Sequence, residues 1–165
     1  MNKPAPICYL SFTPNDRGYG RVVLHNDSLI VFDHIARTGS IGPSGKLVDP
    51  IYAGTWMGRE LPVKTTERGM WIARSGYGWK YRLWDPRGNW SHYLIHPDGN
   101  APGTFGCIGL VDDDCLDLFS LLTVVHKKQS AVPVLVGIPE PDRAAIIDKL
   151  EAEGAVRHGN FVDVA

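Results

Sequence analysis

Glycine and proline punctuate this chain so densely that long helices have little room over its first two thirds. There are 18 glycines and 12 prolines in 165 residues. Proline donates no backbone hydrogen bond and glycine weakens regular elements. The runs between them therefore fold as short elements joined by tight turns. Five Trp and six Tyr suit pleated, half-buried surfaces. The expected fold class is mainly β, with many short strands.

One domain spanning 1–165 is the expected organisation, because a chain of this length buries about 70% of its unfolded surface without cross-links. The 17 Lys+Arg against 18 Asp+Glu give a formal charge of −1. That lacks the basic excess that phosphate binding needs, so nucleic acid is not an expected partner. No stretch approaches the roughly 20 apolar residues of a membrane span. The first six residues carry one lysine and two prolines, and the apolar run from Ile7 to Phe12 is too short for a signal-peptide core. No cleavable signal is visible, so the expectation is a chain made without one or one from which it has been removed. Three cysteines are an odd number, so at least one is unpaired within the chain.

Arg21–His25 and Ser28–Phe32 are β-rich runs separated by Asn26-Asp27, which predicts a hairpin. Ala36–Pro50 reads as a Gly/Ser/Pro-rich loop. Met70–Arg74 and Lys80–Trp84 read as strands, and 85–89 as a turn. Trp90–His96 reads as a strand stopped by Pro97-Asp98-Gly99-Asn100. The pattern then changes. Asp112-Asp113-Asp114 can cap a helix, and Leu118, Leu121, Leu122 and Val125 follow at helical spacing. Val132–Ile138 reads as a buried strand. Glu140–Glu153 reads as a second helix, with Pro141 near its start and Gly154 past its end.

The chemistry concentrates between His96 and Leu110. A histidine ends a strand, a Gly/Pro loop follows, and Thr104-Phe105-Gly106-Cys107-Ile108 opens the next element. A thiol nucleophile needs a base within reach, backbone donors for an oxyanion, and room for a carbonyl. His96 can be the base. Gly106 lacks a side chain, so N–H groups near Cys107 can approach a developing oxyanion. Thr104 can hydrogen-bond in the loop or to substrate. A thiolate–imidazolium pair would keep Cys107 reactive well below pH 8. Cys115 is expected to be buried on the helix after the site.

Zinc is the competing use of these residues. His92 and His96 are four apart, but in a strand that is roughly 13 Å, too far for one ion. No metal and no cofactor is expected. His92 shares a strand face with His96, so it is a candidate for support of the site, with plain packing as the simpler reading.

Thr104-Phe105-Gly106-Cys107-Ile108-Gly109-Leu110, with His96 upstream, resembles the Ser/Thr-His-Gly-Cys signature of the L,D-transpeptidase (YkuD-like) family. The likeness runs over residues 20–138, from the hairpin to the helix and strand after Cys107. Residues 139–165 stand outside it as a C-terminal helical extension. The resemblance implies a β-sandwich or barrel-like fold, and action on peptidoglycan stem peptides. It implies Cys107 as nucleophile, His96 as base, the Gly106 and Cys107 N–H groups as oxyanion hole, and the Pro97 carbonyl as the group that orients the imidazole. Two positions depart from the signature. Its histidine is Phe105 here, and the arginine common two residues after the cysteine is Gly109, so one expected anchor for a substrate carboxylate is absent. Together with the short His-to-Cys loop and the missing signal, these departures are similar to the L,D-transpeptidase effectors of type VI secretion. That likeness implies delivery by a non-Sec route, action in a target cell's periplasm and a cognate immunity protein as a partner.

Two other classes remain open on sequence. One is a peptidoglycan-binding β module with an exposed groove of Trp71, Tyr77, Trp79, Tyr81, Trp84 and Trp90, although core packing is the simpler reading for most of these. The other is a Cys-His amidase or endopeptidase of a papain-like fold. That fold places its cysteine at a helix N-terminus ahead of the histidine, the reverse of the order here.

Overall fold

A computed structural model describes residues 5–65, 78–85, 87–98 and 104–161. The elements run β1 (Cys8–Phe12), β2 (Tyr19–Asn26), β3 (Leu29–Ile41), β4 (Leu47–Val48), β5 (Gly54–Gly58), β6 (Val63–Thr65), β7 (Gly78–Trp84), β8 (Trp90–Asp98), β9 (Thr104–Val111), α1 (Leu116–His126), β10 (Val132–Val136) and α2 (Glu140–Ala152). The fold is mainly β with two helices.

Eight of the strands close on themselves. Their order is β2-β1-β10-β5-β7-β8-β9-β3, and β3 pairs back onto β2. Closure removes free sheet edges, and eight strands leave an interior that side chains can fill. Of the sandwich and the barrel, the chain therefore forms the barrel. The pairs β1–β10 and β8–β9 are parallel; every other pair round the ring is antiparallel. The lining is apolar and closely packed: Leu10, Phe12, Tyr81, Leu83, Ile95, Ile108 and Leu110 are all nearly or fully inaccessible. α1 adds Leu118, Leu122 and Val125 to the same cluster.

α2 packs outside the barrel. Ile147 joins Ile7, Leu135 and Val156 on the wall made by β1 and β10. Pro141 lies in its first turn, and Gly154 follows its end at φ 72°, as read from sequence. The extension thus covers the wall opposite β8 and β9.

Several sequence expectations are corrected. The segment Ala36–Pro50 is a loop only in part: β3 continues to Ile41 and β4 (Leu47–Val48) pairs with it, leaving a turn at 42–46 and irregular chain at 49–50. Gly39 makes this possible, at φ 69° with Val48 O 2.5 Å from where a Cβ would sit; no other residue fits there. The barrel begins before residue 20, because β1 stands between β2 and β10. The hairpin turn is Asp27-Ser28, since Asn26 pairs with Leu29. β8 runs on through Pro97 and Asp98, which face Leu110 and Val111 across a parallel ladder. The aspartates do not cap α1. Its N-cap is Cys115 in left-handed conformation, with no side-chain cap bond; Asp113 instead accepts from the Cys115 N–H. Cys115 is buried just ahead of the helix rather than on it. The strand expected at Met70–Arg74 lies outside the described residues.

Candidate functional site

The parallel ladder between β8 and β9 sets Ile95 beside Ile108 and His96 beside Gly109. Strand parity does the rest. Ile95, Ile108 and Leu110 face the barrel interior, so His96, Asp98, Cys107 and Gly109 face outward. His96 and Cys107 are diagonal neighbours, two residues along and one strand across. Strand spacing and rise put their Cα atoms roughly 8 Å apart, within reach of a thiol–imidazole contact. His96 is wholly buried and Cys107 is 8% exposed.

The imidazole is held by its own strand. His96 Nδ1 lies 2.7 Å from the Pro97 carbonyl. A carbonyl only accepts, so Nδ1 carries the proton and Nε2 carries the lone pair. The thiol accepts a hydrogen bond from Leu94 N–H at 3.3 Å. The His92 carbonyl is 4.0 Å from Sγ. Burial pushes the Cys107 thiol pKa up, against the Leu94 N–H, which lowers it. Burial also pushes the His96 pKa down, against the Pro97 carbonyl and Asp98, which raise it. Both shifts favour the neutral pair. The resting thiolate–imidazolium expected from sequence is therefore disfavoured, and a proton would move as the thiol attacks.

Gly106 has a different job from the one read in the sequence. Its φ is 70°, and a Cβ would lie 2.2 Å from the Tyr93 ring. Its N–H already donates to Asp49 O at 2.8 Å. The Asp49 segment is itself pinned, because Thr38 Oγ1 accepts from Ile51 N–H at 2.8 Å. An oxyanion drawing on the Gly106 N–H would have to displace the Asp49 carbonyl. This bears on the Gly106 half of the expected oxyanion hole. The β3–β9 ladder is broken here: Arg37 pairs with Gly109, but the next partners are Gly39 and Thr104. Cys107 sits in the irregular stretch between them, the kind of bulge that re-aims a side chain.

Two residues beside the pair were not singled out from the sequence. Arg37, Gly109 and His96 lie in one row across three strands. Arg37 Nε donates to Asp98 Oδ2, so the guanidinium crosses the bare Gly109 to reach the next strand. Asp98 is 4% exposed and Arg37 18%. Arg37 thus lies over position 109, with its guanidinium engaged by Asp98. Asp98 was read as part of a turn, although its parity with His96 was available. His92, the candidate for support, offers only its carbonyl; its exposed ring packs on Trp90 at 4.2 Å. The site's neighbour is a cleft of about 540 Å³ lined by Tyr52, Trp56, Arg87, His92 and Tyr93 among others.

Of the aromatic groove, Trp79 and Tyr81 are core, Trp90 is 47% exposed, and Trp71 and Tyr77 lie outside the described residues. Cys107 lies in a strand rather than at a helix N-terminus, unlike the papain-like arrangement. No group of three metal-binding side chains is found among the described residues. None of their helices is long and apolar enough to cross a membrane.

No family model matches the chain, and no curated protein matches it. Among solved structures, that of Bd1075 from Bdellovibrio bacteriovorus is similar over 94% of this chain, at 14% identity and a TM-score of 0.49. This chain spans 58% of that protein's length.

Proposed function

We propose that the protein is a cysteine acyltransferase of the L,D-transpeptidase or L,D-carboxypeptidase type, acting on peptidoglycan tetrapeptide stems. The observation that carries the reading is the Nδ1–Pro97 hydrogen bond of 2.7 Å. It fixes the tautomer a general base needs, on a buried ring whose strand neighbour is a thiol. The Thr104-x-Gly106-Cys107 resemblance supplies the substrate class.

The thiol proton moves to His96 Nε2 as Sγ bonds to the carbonyl carbon before the terminal D-residue. The C–N bond then breaks, and His96 returns its proton to the leaving amine. An acyl-thioester remains on Cys107. Water or an amine attacks it, giving its own proton to His96, and the S–C bond breaks as the thiol is re-formed. Water makes the reaction a carboxypeptidation; an amine makes it a transpeptidation. The aromatic cleft beside Tyr93 takes the stem, with Arg87 as the partner for its carboxylates and Asp85 on the same lining for its amines. The departures at Phe105 and Gly109 extend the reading to an effector that works outside the cytoplasm and has an immunity partner.

Mass spectrometry of muropeptides after incubation with the purified protein tests the reaction. Tetrapeptides should shorten to tripeptides or exchange their last residue, and Cys107→Ala should leave them untouched. An unchanged profile with wild type defeats the substrate assignment. Expression with an added export signal should harm cells, and cytoplasmic expression should not. Equal toxicity in both compartments would point to another amide.

A further inference from the structure

Where the β2–β3 hairpin meets α1, well away from Cys107, the surface folds into a cleft of about 740 Å³. It arises from an irregularity in the hairpin. Leu24 pairs with Phe32, but His25 pairs with Ile30, so Val31 is the extra residue of a bulge. A bulged residue leaves the ladder and re-aims its side chain. Val31 turns to the cleft and is 42% exposed; Val124 of α1 lines the opposite side, 46% exposed. Buried Leu24 and Val125 form the floor.

The polar lining comprises Asn26, Gln129, His158, Asn160 and two lysines, so its fixed charge is of one sign. Gln129 is fully engaged, bonding the Cys8 N–H and carbonyl and the Ala131 carbonyl at 2.8–2.9 Å. Lys127 and Lys128 stand at the end of α1, and none of the described lining residues is acidic. Lys128 is close enough to lower the Cys8 thiol pKa against its burial. The result is an apolar trough with a cationic end, in the size range of small-molecule sites of about 300–1,000 Å³. A flat protein surface would rest on Val31 and Val124 and leave the floor of Leu24 and Val125 empty. A single alkyl chain reaches it.

We propose that this cleft binds a single-chain anionic amphiphile, with a carboxylate or phosphate head at Lys127 and Lys128 and an alkyl chain along Val31, Leu121 and Val124. The site is independent of the Cys107 reading and stands if that reading fails.

The test is a titration of methyl-labelled protein with octanoate, decanoate, dodecanoate and dodecyl phosphate, each below its aggregation concentration and followed by NMR. Saturable shifts are expected at the methyls of Val31, Leu121 and Val124, with affinity rising about fourfold per added methylene. Dodecyltrimethylammonium should bind about tenfold or more weakly than dodecanoate, and Lys127→Glu/Lys128→Glu should reverse that preference. Val124→Asp, at an exposed helix position, should remove binding while leaving the melting temperature and Cys107 chemistry unchanged. Absence of saturable shifts, equal affinity for the cationic chain, or undiminished binding by Val124→Asp would overturn the proposal. So would uptake only by phosphatidylglycerol vesicles, which would make the patch a membrane contact. Self-association that Val124→Asp abolishes would assign the cleft to a second copy of the chain.

Discussion

Two opposite walls of one barrel bury their outward faces by different means. The β1–β10 wall is covered by α2, and the contact is aliphatic: Ile7, Leu135, Ile147 and Val156. The β8–β9 wall lies four places round the ring. It buries a histidine, a thiol and an Arg–Asp pair instead. Apolar burial stabilises at about 25 cal/mol per Å². A buried charge costs several kcal/mol before its partner offsets it, and an apolar replacement is often as stable or more so. The aliphatic wall is what stability alone would select. The polar wall is not, and it is the wall on which the proposed chemistry is placed.

Removing the thiol should break the comparison most sharply. Cys107→Ala should abolish turnover in the muropeptide assay, while urea denaturation shifts by no more than about 1 kcal/mol, because the site thiol contributes little packing. Cys8→Ser and Cys115→Ala should both keep turnover. Retained activity in Cys107→Ala would return the polar wall to a structural role. Next in size is Arg37→Met, which strands the Asp98 carboxylate in a buried position. It should cost about 3–5 kcal/mol in urea denaturation. Asp98→Leu added to Arg37→Met should recover most of that loss, yet leave activity impaired. Recovery of both together would show that the pair serves stability alone.

The two walls also differed in how far they could be read from sequence. α2, α1 and the buried strand Val132–Val136 follow from local signals: Pro141 and Gly154 at the helix ends, leucines at helical spacing, and an unbroken apolar run. Cys107, His96 and the Pro97 carbonyl were legible because they fall within one loop and its flanks. The rest depended on contacts distant in sequence. Arg37 meets Asp98 across 61 residues, and the Asp49 carbonyl reaches Gly106 from another loop. Gly39 looked like a loop signal and proved to be a kink inside a 13-residue strand. Composition cannot separate those two uses of glycine, because both need the same positive φ. Strand parity placed His92 on the same face as His96, but not its ring on Trp90.

Smaller changes sharpen the contrast. Ile147→Ala removes apolar contact under α2 and should cost about 2–4 kcal/mol. It should leave the pH profile of Cys107 alkylation unmoved, since the site is on the far wall. A shifted profile would mean that the walls are coupled through the barrel. Gly106→Ala should cost about 2 kcal/mol, from left-handed backbone and the Tyr93 ring that its Cβ would meet. Unlike Ile147→Ala, it should slow alkylation of Cys107, because the Asp49 bond fixes the backbone next to the thiol.

The smallest effect is a pH dependence shared between the site and the barrel core. His126 is buried beside Tyr81, whose hydroxyl meets Nε2 at 2.6 Å, and burial lowers its pKa from 6.5 to about 4. His96 is lowered for the same main reason. In both, the folded pKa lies below the unfolded one, so the unfolded chain takes up protons first as the pH falls. The contribution of His126 is complete above about pH 6.5 and is lost progressively towards pH 4, and that of His96 is lost in the same direction as the pH falls. Allowing for the screening that any residual exposure brings, His126 alone should account for about 1 kcal/mol between pH 7 and pH 5. Urea denaturation across that interval measures it. His126→Gln should flatten the curve without abolishing the slope, because His96 still titrates. A wild-type curve that is level from pH 7 to pH 5 would mean that neither ring is held neutral by burial. His96 would then share the ordinary histidine titration, and the proposed general base would lose rate as the pH falls through about 6.5.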